Sequence, residues 1–370
     1  MPPAPNELLT DLLKDVSRSF YLTLRVLPKS IRPQIGLAYL LARTTDTIAD
    51  TEIIPLDQRL KSLQALRGRI LGTSSAPLDF GELARQQSLP AERVLLEKTE
   101  AGLALLPSLS RADLQLVRTV LDIITGGQEL DLRRFAVGVR LSQPQPIQPS
   151  KSLAISSPLL ADVSAAAGDS RAPVILALRT DEELDDYTYR VAGCVGEFWT
   201  RMCRTHVFPD AKLDDAKLLA DGVRFGKGLQ LVNILRDLPA DLKNGRCYLP
   251  NEALAKIGLT PADLRNPANE QKLRPLYNQW LDHAEAHLAA GWHYTNTVPW
   301  ACVRVRLACA WPVLIGLQTL QQLRTGNVLD PQQRLKISRR EVRHVIFQSV
   351  VCYPIPGVWR GLARPGAWIR

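Results

Sequence analysis

The sequence predicts an all-α protein folded as one helical domain, and three observations support this prediction. Apolar residues recur at helical spacing through most of the 370 residues. Alternating strand patterns are scarce, and no glycine-rich phosphate loop follows a strand. Hydrophobic residues make up 46% of the chain, which is enough to build a large core.

Ten segments carry the helical pattern, with apolar residues three or four positions apart. In chain order they are 7–27, 33–50, 57–72, 91–107, 110–135, 182–204, 214–237, 271–295, 299–325 and 339–350. The run WACVRVRLACAWPVLIGL (300–317) comes nearest to a membrane span, but it carries Arg304 and Arg306. It lacks the ~18 uninterrupted apolar residues of such a span, so we expect a core helix with a basic edge.

Two segments depart from the helical pattern. Residues 141–173 include SQPQPIQPSKSLAISSP, and this composition predicts a flexible surface insertion within a single domain spanning 1–370. Residues 334–370 form a basic C-terminal extension with eight Lys and Arg against one Glu. The extension is interpreted either as a solvated tail or as a peripheral contact with anionic lipid.

The net charge of +9 favours anionic partners such as phosphates or acidic lipid surfaces. No arginine-rich run is interleaved with aromatic residues, so no nucleic-acid partner is expected. The N-terminus lacks a signal-peptide pattern, and the six cysteines form no C-x-x-C pair. A cytoplasmic location with free thiols is therefore predicted, with membrane contact restricted to the periphery.

The stretch LARTTDTIADT (41–51) places Asp46 and Asp50 four residues apart on a helix that is otherwise apolar. Neighbouring like charges repel on a helix, and burying unpaired carboxylates is costly. On a helical wheel Tyr39 and Arg43 join the two aspartates in one polar stripe.

A second pair, Asp237 and Asp241, lies in GLQLVNILRDLPADLKNGRCYLP (228–250). Its polar stripe contains Gly226, Gln230, Asn233 and Asp237. Asp241 extends this stripe if the helix continues past Pro239. Both stripes could simply face solvent, or the carboxylates could pair with Arg43 and Arg236.

The functional interpretation is a magnesium site. Mg²⁺ prefers oxygen ligands and commonly bridges carboxylates to substrate phosphates. Two facing helices with paired aspartates would hold Mg²⁺ at the mouth of an apolar cavity. Arg43, Arg236, Lys227 and Arg246 are close in sequence and could balance a diphosphate. Such a site suits an amphiphile with a diphosphate head and a hydrocarbon tail, because the metal makes diphosphate a leaving group.

Four motifs together resemble those of the squalene/phytoene synthase family, in the family's order. They are SRSFYL (17–22), LARTTDTIAD (41–50), YTYRVAGCVG (187–196) and NILRDLPADLKNGRCYLP (233–250). The resemblance covers roughly residues 10–330. It implies an all-α isoprenoid synthase bundle with a central apolar cavity, in which two prenyl diphosphates condense head to head through a cyclopropylcarbinyl diphosphate.

The resemblance also implies roles for individual residues. The metal and diphosphate ligands would be Asp46, Asp50, Asp237 and Asp241, assisted by Asn233. Ser17, Arg18 and Arg43 match family positions near the substrate phosphates. Four further substrate-binding candidates come from the polar stripe of the second helix and the cations near it, and they are Gln230, Asn233, Arg236 and Arg246. Tyr187 would lie near the reacting carbons, where its phenol could assist proton removal or its ring could steady a cation.

The first aspartate motif resembles the squalene branch of the family more than the phytoene branch. We therefore expect a bacterial-type squalene synthase, which converts two farnesyl diphosphates through presqualene diphosphate to squalene with Mg²⁺ and NADPH. Lys336 and Arg339 are the candidate contacts for a dinucleotide phosphate. The alternatives are a phytoene or dehydrosqualene synthase, which needs no NADPH, and a non-catalytic helical scaffold that binds lipid.

Overall fold

The structure is a computed structural model, and it describes residues 12–17, 20–142, 174–333 and 335–364, without the side chains of 20 and 136–142. The first half of the chain contains α1 (Leu13–Ser17), α2 (Phe20–Val26), α3 (Arg32–Asp50), α4 (Leu56–Leu71), α5 (Gly81–Arg85), α6 (Pro90–Glu97), α7 (Thr99–Leu103), a 3₁₀ turn (Leu106–Ser108) and α8 (Arg111–Ser142). Arg18, one of the proposed substrate-binding residues, lies outside the described residues, as do residues 143–173 of the insertion.

The second half begins with a short strand and continues as helix. Its elements are β1 (Leu176–Ala177), α9 (Asp181–Thr188), a π-helical turn (Tyr189–Gly193), α10 (Cys194–His206), α11 (Asp215–Lys243), β2 (Arg246–Cys247), α12 (Asn251–Lys256), two 3₁₀ turns (Pro261–Arg265 and Pro267–Asn269), α13 (Glu270–Thr297), α14 (Val303–Thr325), α15 (Arg339–Cys352) and α16 (Pro356–Gly361).

The all-α prediction is confirmed, and most predicted segments correspond to helices. The segment 91–107 was predicted as one helix but is divided among α6, α7 and a 3₁₀ turn. Helix α8 extends the predicted 110–135 to Ser142, so residues 141–142 are helical rather than part of the insertion. The short helices α5, α12 and α16 were not predicted, because five or six residues are too few to show a helical period.

The helices of the two halves pack against one another around the aspartate motifs. Helix α8 packs against α3, α4 and α10, while α11 packs most extensively against α13 and also against α10 and α14. The hydroxyl of buried Tyr277 on α13 donates to the carbonyl of Leu235 on α11 at 2.8 Å, which ties these two long helices together. The aspartate helices α3 and α11 are thus each held by extensive apolar packing.

A two-residue parallel bridge fixes the segment that follows α11. Leu176 and Ala177 of β1 pair with Arg246 and Cys247 of β2. The backbone N–H of Leu178 donates to the carbonyl of Cys247 at 3.1 Å, which extends the bridge. Because Arg246 lies in this bridge, its side chain starts from a fixed backbone position beside the second aspartate pair.

Helix α14 is the one described helix that is long and apolar enough to cross a membrane by length and composition, and 67% of its apolar window is buried in the protein. It therefore packs as the predicted core helix. The expected basic edge holds for exposed Arg304 but is wrong for Arg306, which is only 2% exposed. The guanidinium of Arg306 lies 4.6 Å from the ring centroid of Trp300 and donates to the carbonyl of Val298 at 2.7 Å.

Candidate active site

The first aspartate pair lies in the last two turns of α3. The helix starts with Pro33 in its first turn and buries Leu37, Leu41 and Ile48 against the core. No basic residue occupies the last turn, although the carbonyl end of a helix favours cations. Carboxylates at this end destabilise the helix, so helix stability does not explain their presence. The helix dipole adds to their negative charge, which makes this end of α3 attractive to a cation.

Asp46 is only partly covered by the protein. Its side chain is 47% exposed, yet the protein around it removes part of its hydration. This desolvation, followed by the nearby charge of Asp50, raises the pKa of Asp46 to about 6, although Arg43 and Gln128 oppose the rise. The side-chain amide of Gln128 on α8 donates to Asp46 Oδ1. Desolvation also raises the pKa of Asp50, against the opposing charges of Arg246 and Arg43.

The second pair lies in the last two turns of α11. The helix continues through Pro239 to Lys243, so Asp241 extends the polar stripe of this helix. Arg236 Nε donates to Asp237 Oδ1 at 2.8 Å, within the same helix. Desolvation and then the charge of Asp237 raise the pKa of Asp241 to about 7, and Asp131 and Asp50 add to the effect.

The two pairs are linked through Arg246 and through Asp131 of α8. Desolvation raises the pKa of Asp131 to about 6, against the nearby charges of Arg246 and Arg134 and the hydrogen bond from Tyr248. Burial by itself would lower the pKa of Arg246, but Tyr248, Asp131, Glu52 and Asp50 hold it well above its ordinary range. Arg246 is therefore permanently charged. Its charge acts on Asp50 of α3, Asp131 of α8 and Asp241 of α11, which come from three different helices.

Tyr187 stacks on Tyr248 with ring centroids 4.7 Å apart and an interplanar angle of 25°. The hydroxyl of Tyr248 donates to Asp131 Oδ2 at 3.1 Å. Desolvation, reinforced by the charge of Asp131, raises the pKa of Tyr187 far above its ordinary value of 10.0. Tyr187 is therefore a neutral phenol at any physiological pH, beside the carboxylates that link the two motifs.

The predicted cationic ligands already have acidic partners. Arg43 contacts Glu92 of α6 at 2.5 Å, and Arg246 contacts Glu52 at 3.0 Å. Lys227 donates instead to Asp185 of α9 at 2.6 Å. A bound diphosphate would thus compete with Glu92 and Glu52 for Arg43 and Arg246, while Lys227 serves to join α9 to α11.

The remaining predicted residues lie on α1 and α11. Ser17 is buried, and its hydroxyl donates to the carbonyl of Leu13. Asn233 and Gln230 lie side by side on α11, with the amide of Asn233 donating at 3.5 Å. The roles proposed for these three side chains stay predictions.

Lys336 lines a cavity of about 440 Å³ together with Arg236, Asp237 and Lys243. This cavity brings three cationic side chains next to one aspartate of the second pair. Arg339 is exposed at the first turn of α15 and does not line the cavity. Of the two proposed dinucleotide contacts, Lys336 is thus the one placed beside the aspartate motif.

Glycines let the segment after Tyr187 approach α11 at backbone distance. A Cβ added to Gly196 would lie 1.9 Å from the carbonyl oxygen of Gly222, and one added to Gly226 would lie 2.1 Å from that of Ala192. No side chain fits in either place. The glycines of the signature YTYRVAGCVG therefore serve close packing, and the π-helical turn that they border sets the position of Tyr187 relative to α11.

The sequence analysis missed Gln128, Asp131 and Tyr248. The segment GGQELDL (126–132) offers a signal for the first two, since Gln128 and Asp131 are polar residues three apart on the predicted helix 110–135. Tyr248 lies inside the quoted motif NILRDLPADLKNGRCYLP (233–250), but its relation to Tyr187 and Asp131 depends on the strand pairing of β1 with β2. All three contact a predicted site residue or link two of them.

The donor set suits a hard divalent cation. Among the residues that the structure describes, no three His, Cys, Asp or Glu side chains already form a preorganised metal cluster. Nevertheless Asp46, Asp131 and Asp241 have raised pKa values, and like-charged carboxylates contribute to each shift. A divalent cation would relieve that repulsion, and carboxylate oxygens are the ligands that Mg²⁺ prefers.

Comparison with known proteins gives relatives over nearly the whole chain. Over 336 residues it is 28% identical to the presqualene diphosphate synthase of Rhodopseudomonas palustris, covering 90% of this chain and 93% of that one. Over 350 residues it is 26% identical to the bifunctional lycopene cyclase/phytoene synthase of Blakeslea trispora, covering 92% of this chain but 49% of that longer protein. The solved structure of TcSQS with the ligand E5700 aligns with a TM-score of 0.69 at 20% identity, over 98% of this chain and 92% of that one.

The fold, with an aspartate pair at the end of each of two long helices, is of the all-α isoprenoid synthase type. The family model for squalene/phytoene synthase matches residues 13–341. The chain therefore belongs to the squalene/phytoene synthase family, whose members are head-to-head prenyltransferases.

Proposed function

We propose that this protein condenses two farnesyl diphosphates head to head to presqualene diphosphate and reduces that intermediate to squalene with NADPH. The observation that carries the proposal is that Asp50, Asp131 and Asp241 all lie near enough to one cation, Arg246, for its charge to lower their pKa values. This group of side chains comes from three helices and joins the two aspartate motifs. It combines excess negative charge with a fixed arginine, which is the combination that a magnesium diphosphate requires.

The diphosphate groups would be held from two sides of the cleft. Arg246 is fixed by β2, and Arg43 lies three residues before Asp46 on α3. Guanidinium groups bind phosphate oxygens through two parallel hydrogen bonds, so each arginine can orient a diphosphate as well as neutralise it. Glu92 and Glu52 keep the two arginines in place until substrate replaces them as partners.

Asp46 and Asp50 on α3 and Asp237 and Asp241 on α11 would hold Mg²⁺, with Asn233 beside them. When bound, the metal supplies charge neutralisation that makes diphosphate a leaving group. Gln128 fixes the orientation of Asp46 by donating a hydrogen bond to its carboxylate. Arg236 fixes Asp237 in the same way. These two hydrogen bonds hold the carboxylates in place before a ligand binds.

Tyr187 and Tyr248 would steady the positive charge that develops on the prenyl chain after ionisation. The two rings stack on each other, and their raised pKa values keep both phenols neutral, so neither supplies an anionic base at neutral pH. A tyrosine with so high a pKa is a poor general base. This favours a role for Tyr187 in cation stabilisation over the alternative role in proton removal.

The reducing step would use a dinucleotide whose phosphates contact the cavity formed by Lys336, Arg236 and Lys243. Three cations at this position supply the charge that a dinucleotide phosphate needs, and Asp237 connects the cavity to the second motif. Arg339 remains a further candidate at the start of α15. No glycine-rich dinucleotide motif is required for such a contact.

A second candidate function is a synthase whose reaction ends at presqualene diphosphate. The similarity to the presqualene diphosphate synthase of Rhodopseudomonas palustris along 93% of that protein favours this alternative. Phytoene or dehydrosqualene formation, which needs no NADPH, is the alternative suggested by the phytoene synthase relatives. The three candidates share the first condensation and differ in how the intermediate is used.

Product analysis distinguishes these candidates. Purified protein is incubated with farnesyl diphosphate and Mg²⁺, with and without NADPH, and the products are identified by mass spectrometry. We expect presqualene diphosphate without NADPH and squalene with it. Presqualene diphosphate under both conditions would establish the second candidate, and a C30 product with a central triene without NADPH would indicate a dehydrosqualene synthase. The same incubation is repeated with geranylgeranyl diphosphate. Activity with this substrate and none with farnesyl diphosphate would indicate a phytoene synthase.

The experiment also tests the class of protein. If diphosphate is released from neither farnesyl diphosphate nor geranylgeranyl diphosphate, the catalytic proposal is contradicted and the lipid-binding scaffold is favoured. Asp241→Asn, with the charge-matched exposed variant Asp210→Asn as control, separates enzyme activity from contaminating activity, because only the first should abolish product formation.

A further inference from the structure

The end of the described chain carries an exposed apolar surface that the proposed chemistry does not use. Five of the eleven exposed large hydrophobic side chains in the described part of the protein lie between residues 347 and 358. We call this group the apolar patch, and it consists of Phe347, Val350, Val351, Ile355 and Val358. Phe347 is 66% exposed, and Val351 and Ile355 are each 56% exposed.

The apolar patch continues a basic stripe on the same helix face. Arg340, His344, Phe347 and Val351 are spaced by four, three and four residues on α15, so they share one side of the helix, and all four are exposed. Arg343 is exposed next to this stripe. Helix α15 is therefore basic at its beginning and apolar towards its end on the outward side.

The opposite face of α15 is firmly packed, so the exposed stripe is a fixed surface and not a loose tail. Val345 and Ser349 are fully buried, and the indole N–H of Trp311 on α14 donates to the Ser349 hydroxyl at 2.8 Å. Trp359 of α16 is also fully buried, and its indole N–H donates to Asn296 Oδ1 at 2.9 Å. The interpretation of residues 334–370 as a solvated tail is therefore wrong for its helical portion, α15 and α16.

Charge complementarity identifies the kind of partner. Residues 342–370 contain no Asp or Glu, and exposed Arg360 and Arg364 follow the apolar patch as Arg340 and Arg343 precede it. An apolar surface with cations on both sides is suited to the interface of an anionic bilayer, where the side chains enter the acyl region and the arginines meet lipid phosphates. A symmetric contact between two copies would bring these cations together. The one neighbouring acid on α15, Glu341, already accepts from the Ser338 backbone N–H at 2.7 Å.

We propose that the apolar patch and its flanking arginines form a docking surface for an anionic lipid bilayer. The contact is peripheral, since α15 is packed along one side against α14 and only its outward side is free to enter the interface. This inference does not depend on the proposed catalytic function. Its test measures binding without substrate, so the two proposals can fail separately.

Vesicle flotation tests the proposal on the full chain. One set of vesicles contains phosphatidylcholine alone, and the other contains equal parts of phosphatidylcholine and anionic phosphatidylglycerol. We expect the protein to float with the anionic vesicles only, and to be released as salt is raised. Phe347→Ser with Val351→Ser should weaken the partition at least about tenfold, because the lost contacts are apolar. Arg340→Glu with Arg343→Glu should weaken it by a similar factor through charge.

Matched controls exclude general effects of hydrophobicity and net charge. Leu89→Ser removes an exposed leucine elsewhere, and Lys61→Glu with Arg111→Glu makes the same change of net charge on exposed sites of α4 and α8. All of these substitutions are on exposed residues, and circular dichroism melting checks the fold. If the double serine variant melts early, Phe347→Ser alone is used.

Three outcomes would overturn the proposal. They are absence of wild-type flotation with anionic vesicles, patch variants that bind as well as the controls, and binding to neutral vesicles with no salt dependence. Sedimentation velocity tests the alternative that a second copy of the chain covers the apolar patch. A dimer that dissociates when Phe347 and Val351 are replaced would assign the surface to a second copy of the chain instead.

Discussion

The rings of Tyr187 and Tyr248 stack at 4.7 Å, and the Tyr248 hydroxyl donates to Asp131 at 3.1 Å. One tyrosine belongs to α9 and the other follows β2, so the pair connects the signature segment to the second aspartate motif. The stack places two neutral aromatic side chains directly against a carboxylate whose pKa is raised to about 6. This relationship makes the roles of ring and hydroxyl separately testable.

We predict that Tyr187→Phe retains substantial activity, whereas Tyr187→Leu loses at least about tenfold more, because a cation is stabilised by the aromatic face rather than by the hydroxyl. Steady-state kcat and KM for both variants provide the measurement. Equal losses in the two variants would instead assign the function to the hydroxyl and to proton removal.

Tyr248→Phe should lower kcat by about tenfold, because Asp131 loses a hydrogen bond that favours its charged form. The acidic limb of the pH–rate profile should move to higher pH as a result. Tyr353→Phe is the control, since it removes a phenol that donates to the carbonyl of Trp300 far along the chain from either motif. An unchanged profile in Tyr248→Phe would show that this hydrogen bond has no part in the reaction.

Asp46→Asn and Asp237→Asn should each abolish turnover with Mg²⁺, by at least about 100-fold. Without metal, Asp46→Asn should keep or raise Tm, because it removes a carboxylate that repels Asp50 and is partly desolvated. Kinetic assays and thermal melts with and without Mg²⁺ are compared with those of exposed Asp210→Asn. Near-wild-type activity in either variant contradicts the metal assignment, and unfolding of the variant would point to a structural ion pair.

The pH dependence of stability has a defined sign. Asp131 and Asp241 have an ordinary pKa of 3.8 but pKa values of about 6 and about 7 in the folded protein, so the folded chain binds protons more tightly. Their contribution to stability is complete below the unfolded pKa and is lost as pH rises through these folded values. The Tm advantage of Asp241→Asn over wild type should therefore grow from about pH 4 to about pH 7 in the absence of metal and level off above that.

Saturating Mg²⁺ should reverse this trend for the wild type, because the cation binds the deprotonated carboxylates and stabilises the folded state. Differential scanning calorimetry at several pH values measures both effects. A Tm difference between Asp241→Asn and wild type that is independent of pH would contradict the raised pKa of Asp241. Absence of any Mg²⁺ effect would count against a metal site.

Residues 143–173 lie outside the described residues, and the prediction of a dispensable insertion stays a prediction. Deleting about 25 residues within this segment should leave Tm and activity nearly unchanged, because its composition buries little apolar area. Limited proteolysis of the intact chain is an independent check, because a segment that is not packed should be cut first. A large loss of activity with unchanged Tm would instead indicate that the segment covers the cleft.

Asp131 of α8 can be tested in the same way as the four predicted aspartates. Asp131→Asn should reduce kcat and should also remove one of the charges that raise the pKa of Asp241. The acidic limb of the pH–rate profile should then shift to lower pH. Asp122→Asn on the same helix, which breaks an ion pair with Arg67, is the control for helix α8 itself.

The sequence by itself determined the helical class and the identity of the two aspartate pairs. Helical periodicity over 33–50 and 214–237 is a local property, because burial of one face is encoded by residues three and four apart. The polar stripes on those helices were visible for the same reason. Asp46, Asp50, Asp237 and Asp241 could therefore be assigned as candidate ligands from residue pattern and motif order alone.

The tertiary structure decided which side chains meet between the motifs. Gln128 reaches Asp46 from α8, Tyr248 reaches Asp131 from β2, and Arg246 is shared among acids of several helices. It also decided that Lys227 pairs with Asp185 and that Arg306 is buried rather than at an edge. Such contacts depend on the packing of distant segments and on which face of a helix a neighbour covers, and no local period encodes either property.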